Sequence, residues 1–303
     1  MADTLEDSPA LTEEEKVAGL SFFAEFFRQG GHEGKLLADV YPLVGKLDLA
    51  TPEGELLTHF DWVLHCYMEL PPTYREIIAN ALIESVLGMA RFQQRKGKYP
   101  SGIFQLTDWN DLTLYCYYVA GVVGKMLTTL FCLEKGMTSH CSTLSHDQVH
   151  FGLALQLTNI TKDYPDDIAR GWCYLPQTVT DAVGVTPGDL LRDPDLKRRD
   201  ITRLMIEKTA PHLKGALRYI EEIPREQRDV RMFCMIPFVL AYHTLENLSR
   251  TLNPRLSRQR VQILLERCKV FCASNVALES DYATTFLRGC LCEDPGCLRG
   301  PVD

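Results

Sequence analysis

The 303-residue chain lacks most of the short motifs that announce a chemistry. No G-x-G-x-x-G follows a strand-like run and no Walker loop is present, so a dinucleotide would have to bind without a Rossmann unit. H-E-x-x-H is missing, and His65, His150, His212 and His243 stand isolated along the chain, which assigns them no ligand role. The eleven cysteines include no C-x-x-C pair. Scattered in this way they read as reduced cytosolic thiols, and Cys290, Cys292 and Cys297 lack a nearby fourth ligand for zinc. Basic charge is short: 32 Lys and Arg against 40 Asp and Glu leave a net −8, which argues against a nucleic-acid partner. Nothing at the N-terminus reads as a secretory signal, and the longest apolar stretch, Leu112 to Gly124, is too short to span a bilayer and ends at Lys125. With no apolar helix in its last residues, the chain is expected to have no transmembrane helix and to be cytoplasmic, at most peripheral to a membrane.

Strand signals are also scarce. There is no alternating run closed by hairpin turns and no internal repeat, whereas nearly every segment reads helical. Thr12-Glu-Glu-Glu15 is a capping box ahead of an apolar stripe, Val17, Leu20, Phe23 and Phe27, that stops at Gly30-Gly31. Pro71-Pro72 opens a second helix carrying Ile78, Leu82, Met89 and Phe92, and it stops near the basic stretch Arg95–Pro100. Thr107 or Asp108 opens a third, which Gly136 closes. A motif helix runs from about Ser142 to Asp167. A breaker-rich stretch from Asp181 to Asp200 precedes helices near 200–222, 228–250 and 256–287. The reading is one all-α domain over residues 1–303, with an irregular tail from about residue 288.

The motif helix carries the chemistry. Gln156, Asn159, Asp163 and Asp167 fall at i, i+3, i+7 and i+11, so they stack on one face of an otherwise apolar helix. Buried carboxylates need solvent, a partner or an ion, and two of them one turn apart suit Mg²⁺, which takes oxygen ligands and keeps waters and phosphates as the rest of its shell. A solvated helix face is the plain alternative. A second acidic block, Asp3-Thr-Leu-Glu6-Asp7, repeats the spacing. Two D-x-x-x-D pairs in a helical chain suggest facing walls of a cleft, each holding Mg²⁺ against a diphosphate.

Four blocks stand in the order found in squalene synthases: Asp3–Asp7, Tyr115-Cys-Tyr-Tyr118-Val-Ala-Gly121-Val-Val-Gly124, the Gln156–Asp167 stripe and Phe233-Cys-Met-Ile-Pro237. Over roughly residues 1–250 the chain therefore resembles the squalene/phytoene synthase family of head-to-head prenyltransferases. The resemblance implies an all-α isoprenoid-synthase fold and two farnesyl diphosphates as substrates. It implies Mg²⁺ held by Asp3 and Asp7 on one wall and by Asp163 and Asp167 on the other. Gln156 and Asn159 would orient diphosphate or metal waters. Tyr115 matches the family tyrosine implicated in proton handling, and a buried core phenol is its plain alternative. The Phe-Cys-x-Ile-Pro block implies an NADPH-dependent second half-reaction giving squalene, with Pro237 breaking its helix and Phe233 facing the cavity to stabilise a cation; plain core packing is the alternative. Related outcomes are a phytoene, dehydrosqualene or hydroxysqualene synthase without hydride transfer, or an inactive helical scaffold.

The chain departs from the family in two respects. The first aspartate block begins at Asp3, where the family has preceding helices, so the chain as given is expected to be poorly active. Pro165 interrupts the aspartate stripe and is expected to kink the helix and spread Asp163 from Asp167. Arg170 either binds diphosphate oxygens or pairs with Asp166. Gly121 and Gly124 leave room for close helix packing or for a prenyl chain. Arg255, Arg258 and Arg260 lie where the family places basic residues near the cofactor phosphates, without clean alignment, and read as a solvated face.

Overall fold

A computed structural model describes residues 2–31, 42–47, 50–99, 102–133 and 137–282. The helices start where local chemistry supplies the caps. Thr12 is extended, its hydroxyl accepts from Glu15 N at 3.2 Å, and the Glu15 carboxylate accepts from Thr12 N at 2.9 Å, launching the helix Glu13–Arg28. It ends where Gly30 and Gly31 take φ of 86° and 76°. Pro72 opens the 25-residue helix Pro72–Lys96, and Asp108 caps the next by accepting from Asp111 N at 2.9 Å.

That next helix corrects the estimate of the apolar stretch. Trp109–Cys116 continues through one π turn, Tyr117–Gly121, into Val122–Leu133. The resulting 25 residues, with a mean hydropathy of 1.5 over their most apolar 18-residue window, are long and apolar enough by length and composition to cross a membrane. The helix continues past Lys125, whose Nζ turns to the Tyr117 hydroxyl at 2.8 Å and the Glu84 carboxylate at 3.3 Å. Within this fold the segment packs against Cys141–Ala169. A Cβ on Gly124 would lie 2.2 Å from the Gln148 carbonyl oxygen, and one on Gly152 2.3 Å from that of Ala120. For Gly124 the close-packing reading therefore holds, since backbone fills the space above it.

Among the described residues, three prolines lie inside helices without ending them: Pro165 in Cys141–Ala169, Pro211 in Arg198–Glu222 and Pro237 in Arg228–Thr251. The expected break at Pro237 does not occur. Met235, Phe238 and Val239 around it are buried, and their packing outweighs the one lost backbone bond. The stretch from Asp181 to Asp200 is more ordered than its breakers suggest. Gln177–Val183 ends on Gly184 at φ 73°, and a Thr186–Asp189 capping box starts Pro187–Arg192. A two-residue parallel pairing, Phe104–Gln105 with Trp172–Cys173, also went unpredicted.

Among the described residues the core falls into three apolar clusters. One packs the first helices onto Pro72–Lys96 through Leu5, Leu20, Phe23 and Met89. A middle cluster holds Phe92, Leu112, Tyr115, Leu157, Ile160 and Tyr174 under the functional pocket. The last joins Arg198–Glu222, Arg228–Thr251 and Arg258–Ala273 through Leu213, Ile220, Phe238 and Phe271.

Two expectations about sulfur and histidine change. Cys132 and Cys141 are disulfide-bonded, so this pair is not reduced: Val122–Leu133 ends and Cys141–Ala169 begins side by side. Nor is His243 isolated. Its Nδ1 lies 2.8 Å from Glu246 Oε2 and its Nε2 3.2 Å from the Tyr282 hydroxyl. Gly136, Cys290, Cys292, Cys297 and the tail from residue 288 lie outside the described residues.

Candidate active site

One wall of the site is the short helix Ala2–Asp7, fixed by the fully buried Leu5; the other is the part of Cys141–Ala169 from Gln156 onward, about four turns. Both face a pocket of about 270 Å³ that Asp3, Glu6 and Asp7 line from one side and Gln156, Asn159, Asp163 and Asp167 from the other. Pro165 does not scatter the stripe, since all four of its residues reach the same pocket. Arg170 joins the walls. Its Nη2 donates to Asp167 Oδ1 at 2.5 Å, and its Nη1 lies 3.7 Å from Asp7 Oδ2. The alternative partner Asp166 is displaced because Asp167, one helical turn before Arg170, faces the pocket. Lys162 Nζ lies 3.0 Å from Asp163 Oδ2.

Negative charge is crowded here beyond what these cations neutralise. Asp167 is pushed up to about 6, first by burial and then by Asp163 and Asp7, against the opposing pull of Arg170. Burial raises Asp7 as well, again opposed by Arg170. Glu6 is 3% exposed and is pushed up to about 8 by burial, then by Asp7 and Asp3; its Oε1 has no hydrogen-bond partner. Such a donor set, carboxylates with the Gln156 and Asn159 side chains, suits a hard divalent cation. Among the described residues no three His, Cys, Asp or Glu side chains are already gathered as a metal site, so waters or phosphate oxygens would have to complete any shell.

At the apolar side of the pocket two phenols stack. The Tyr115 hydroxyl donates to the Tyr174 hydroxyl at 3.0 Å, and the rings lie 4.5 Å apart at 23°. Burial holds both well above the usual tyrosine range, so both keep their protons at neutral pH.

Phe233 is not among the residues lining this pocket. It is 57% exposed and meets Phe131 edge-on at 6.0 Å. Cys234, Met235 and Phe238 take the core face of its unbroken helix and turn Phe233 outward. Arg255, Arg258 and Arg260 are exposed. Three contributors escaped the sequence reading: Glu6, Lys162 and Tyr174. Glu6 sits inside the quoted acidic block, and Tyr174 lies seven residues beyond Asp167. Nothing in their spacing marks them, because their roles depend on which helix lies opposite.

A helical bundle that sets two acidic walls around a pocket floored by phenols defines an isoprenoid-synthase type of fold. The chain belongs to the squalene/phytoene synthase family, whose model matches residues 1–267. A squalene synthase of Mycosarcoma maydis is 28% identical over 282 residues, covering 86% of this chain and 46% of its own length. One of Schizosaccharomyces pombe is 29% identical over 265 residues, covering 86% and 54%. The chain thus spans about half the length of the curated relatives it matches. The fold is shared with a solved structure described as the complex of TcSQS with the ligand BPH1237, at TM-score 0.74 and 21% identity, over 97% of this chain and 81% of that one.

Proposed function

We propose that the chain is a Mg²⁺-dependent prenyltransferase that condenses two farnesyl diphosphates head to head, through presqualene diphosphate, towards squalene. One observation carries the reading: Asp7 and Asp167, from opposite walls, meet at Arg170 in a pocket whose carboxylates outnumber its cations. The donor set fits Mg²⁺, with Asp3 and Asp7 on one side and Asp163 and Asp167 on the other; when bound, it would stabilise the departing diphosphate. Gln156 and Asn159 orient the diphosphate or its waters. Arg170 already bridges the walls and offers its guanidinium to the same oxygens. Tyr174 is held as a phenol with its own proton free, because Tyr115 donates to it, so Tyr174 acts as the hydrogen-bond donor towards the leaving group with Tyr115 behind it, and neither acts as a base. Val119 and Ile160 line the same pocket and keep water from an allylic cation.

Reduction by NADPH enters the proposal through the squalene synthase relatives and the Phe233–Pro237 block. The pocket residues carry no step of it. The deciding experiment is product analysis of the protein with farnesyl diphosphate and Mg²⁺, with and without NADPH. Presqualene diphosphate without NADPH and squalene with it support the reading. Dehydro or hydroxylated products under both conditions move the protein to another branch of the family, and no turnover removes the proposal.

A further inference from the structure

Two histidines that are 62 residues apart in sequence meet across a helix pair. His150 belongs to Cys141–Ala169 and His212 to Arg198–Glu222; their Nδ1 atoms are 3.0 Å apart and their ring centroids 4.9 Å. Gly215 permits the approach. A Cβ there would come within 2.6 Å of His150 Cβ and 2.8 Å of its Cγ, so the imidazole lies directly on the neighbouring helix backbone. One turn before His150, Asp147 takes both Nε and Nη2 of Arg218, at 3.0 and 2.7 Å, and pins the same two helices beside the rings. His146 points its Nδ1 to that Asp147 at 3.3 Å and does not join the pair.

Two facing ring nitrogens at this distance have two explanations. One ring can donate an N–H to the other, an ordinary hydrogen bond. Alternatively, both lone pairs can converge on one cation. With metal–nitrogen bonds of about 2.1 Å, two cis ligands at about 90° lie about 3.0 Å apart, whereas tetrahedral ligands need about 3.4 Å. The observed spacing matches the first geometry. Burial and the His150 neighbour push His212 down to about 4, so its ring is neutral, the form that ligates.

We propose that His150 and His212 form a bis-imidazole site for a divalent transition metal of octahedral or tetragonal preference, such as Ni²⁺ or Cu²⁺. Water completes the shell, since among the described residues no third His, Cys, Asp or Glu side chain joins them. Imidazole suits these ions and not Mg²⁺, so the site is chemically separate from the aspartate pocket and does not depend on the reaction proposed above. Bound metal clamps the helix carrying Asp163 and Asp167 to the helix behind it, and it stabilises the folded chain because only the folded chain presents both rings.

The test uses the full chain free of any histidine tag, labelled at its eight histidines, with substoichiometric Ni²⁺ in the presence of excess Mg²⁺. Paramagnetic broadening should remove two imidazole signals before the other six, and the melting temperature should rise with Ni²⁺. His150→Asn and His212→Gln should each weaken Ni²⁺ binding by about tenfold or more. Broadening spread evenly over the histidines, or none at all, overturns the site and leaves a hydrogen bond between two rings. Unchanged Ni²⁺ affinity in both variants overturns it equally. Since the wild-type spectrum alone decides, a variant that fails to fold does not rescue the proposal.

Discussion

Arg170 Nη1 lies 3.7 Å from Asp7 Oδ2, across the pocket from the helix that carries the arginine. The same guanidinium holds Asp167 at 2.5 Å, so one cation is shared by two carboxylates whose helices are about 160 residues apart in sequence. Both carboxyls are nevertheless raised by burial. The walls are held together by one charge and pushed apart by several, which is the electrostatic condition for admitting a divalent cation.

Replacing Asp163 with Asn keeps the shape and removes one charge. The side chain lies at the pocket edge beside Lys162, so the fold should survive, with stability changed by less than about 1 kcal/mol. Turnover of farnesyl diphosphate should fall by about 10²-fold or more. Circular dichroism and steady-state kinetics on the same sample check both halves, and near-normal turnover would sink the metal assignment.

Arg170→Gln removes the bridge without adding charge. Loss of hydrogen bonds to charged partners should weaken binding of inorganic diphosphate with Mg²⁺ by about 1.5–3 kcal/mol. Calorimetric titration measures this directly. An unchanged affinity would confine Arg170 to a structural role.

Glu6 makes stability depend on pH in a known direction. Its folded-state value, about 8, lies above the ordinary glutamate value, so its stabilising contribution is complete in acid, below about pH 4, and is lost as pH rises through 8. Asp167, at about 6, acts with the same sign over a lower window. Without metal, Glu6→Gln should therefore melt increasingly above the wild type between pH 5 and pH 9. A difference constant with pH would show that Glu6 ionises normally.

Peptide mapping without reductant should yield a linked pair containing Cys132 and Cys141, while Cys116, Cys173, Cys234, Cys268 and Cys272 are recovered as free thiols. The latter five are buried, and burial raises their thiols, so they should alkylate only after unfolding.

Arg231 is fully buried and ties three helix ends. It donates to the carbonyls of Ile220 at 2.8 Å and Ile223 at 2.6 Å, to that of Phe271 at 3.5 Å, and to Asn275 Oδ1 at 2.7 Å. Arg231→Met leaves those acceptors unpaired and should cost about 3 kcal/mol in denaturant unfolding, with no effect on diphosphate binding.

The aspartate stripe, the Thr12 capping box, the Asp108 cap and the all-α character were legible in the sequence because each depends on residues within a few positions of one another. A 3.6-residue period places Gln156, Asn159, Asp163 and Asp167 on one face whatever surrounds the helix. Local rules failed where long-range packing outweighed them. Pro237 reads as a break until Met235 and Phe238 are seen buried on either side. Phe233 reads as a cavity residue until its unbroken helix turns it outward.

What the sequence determined by itself was the identity and spacing of the groups on each wall and the class of ion they suit. Only the tertiary structure decided which walls face each other, that Arg170 spans them, that Glu6 loses its solvent and that Tyr174 rather than another residue receives the Tyr115 hydroxyl. The division is physical. Periodicity and capping are properties of one turn of chain, whereas burial, shifted acidity and pairs such as His150 with His212 arise only when helices distant in sequence exclude water between them.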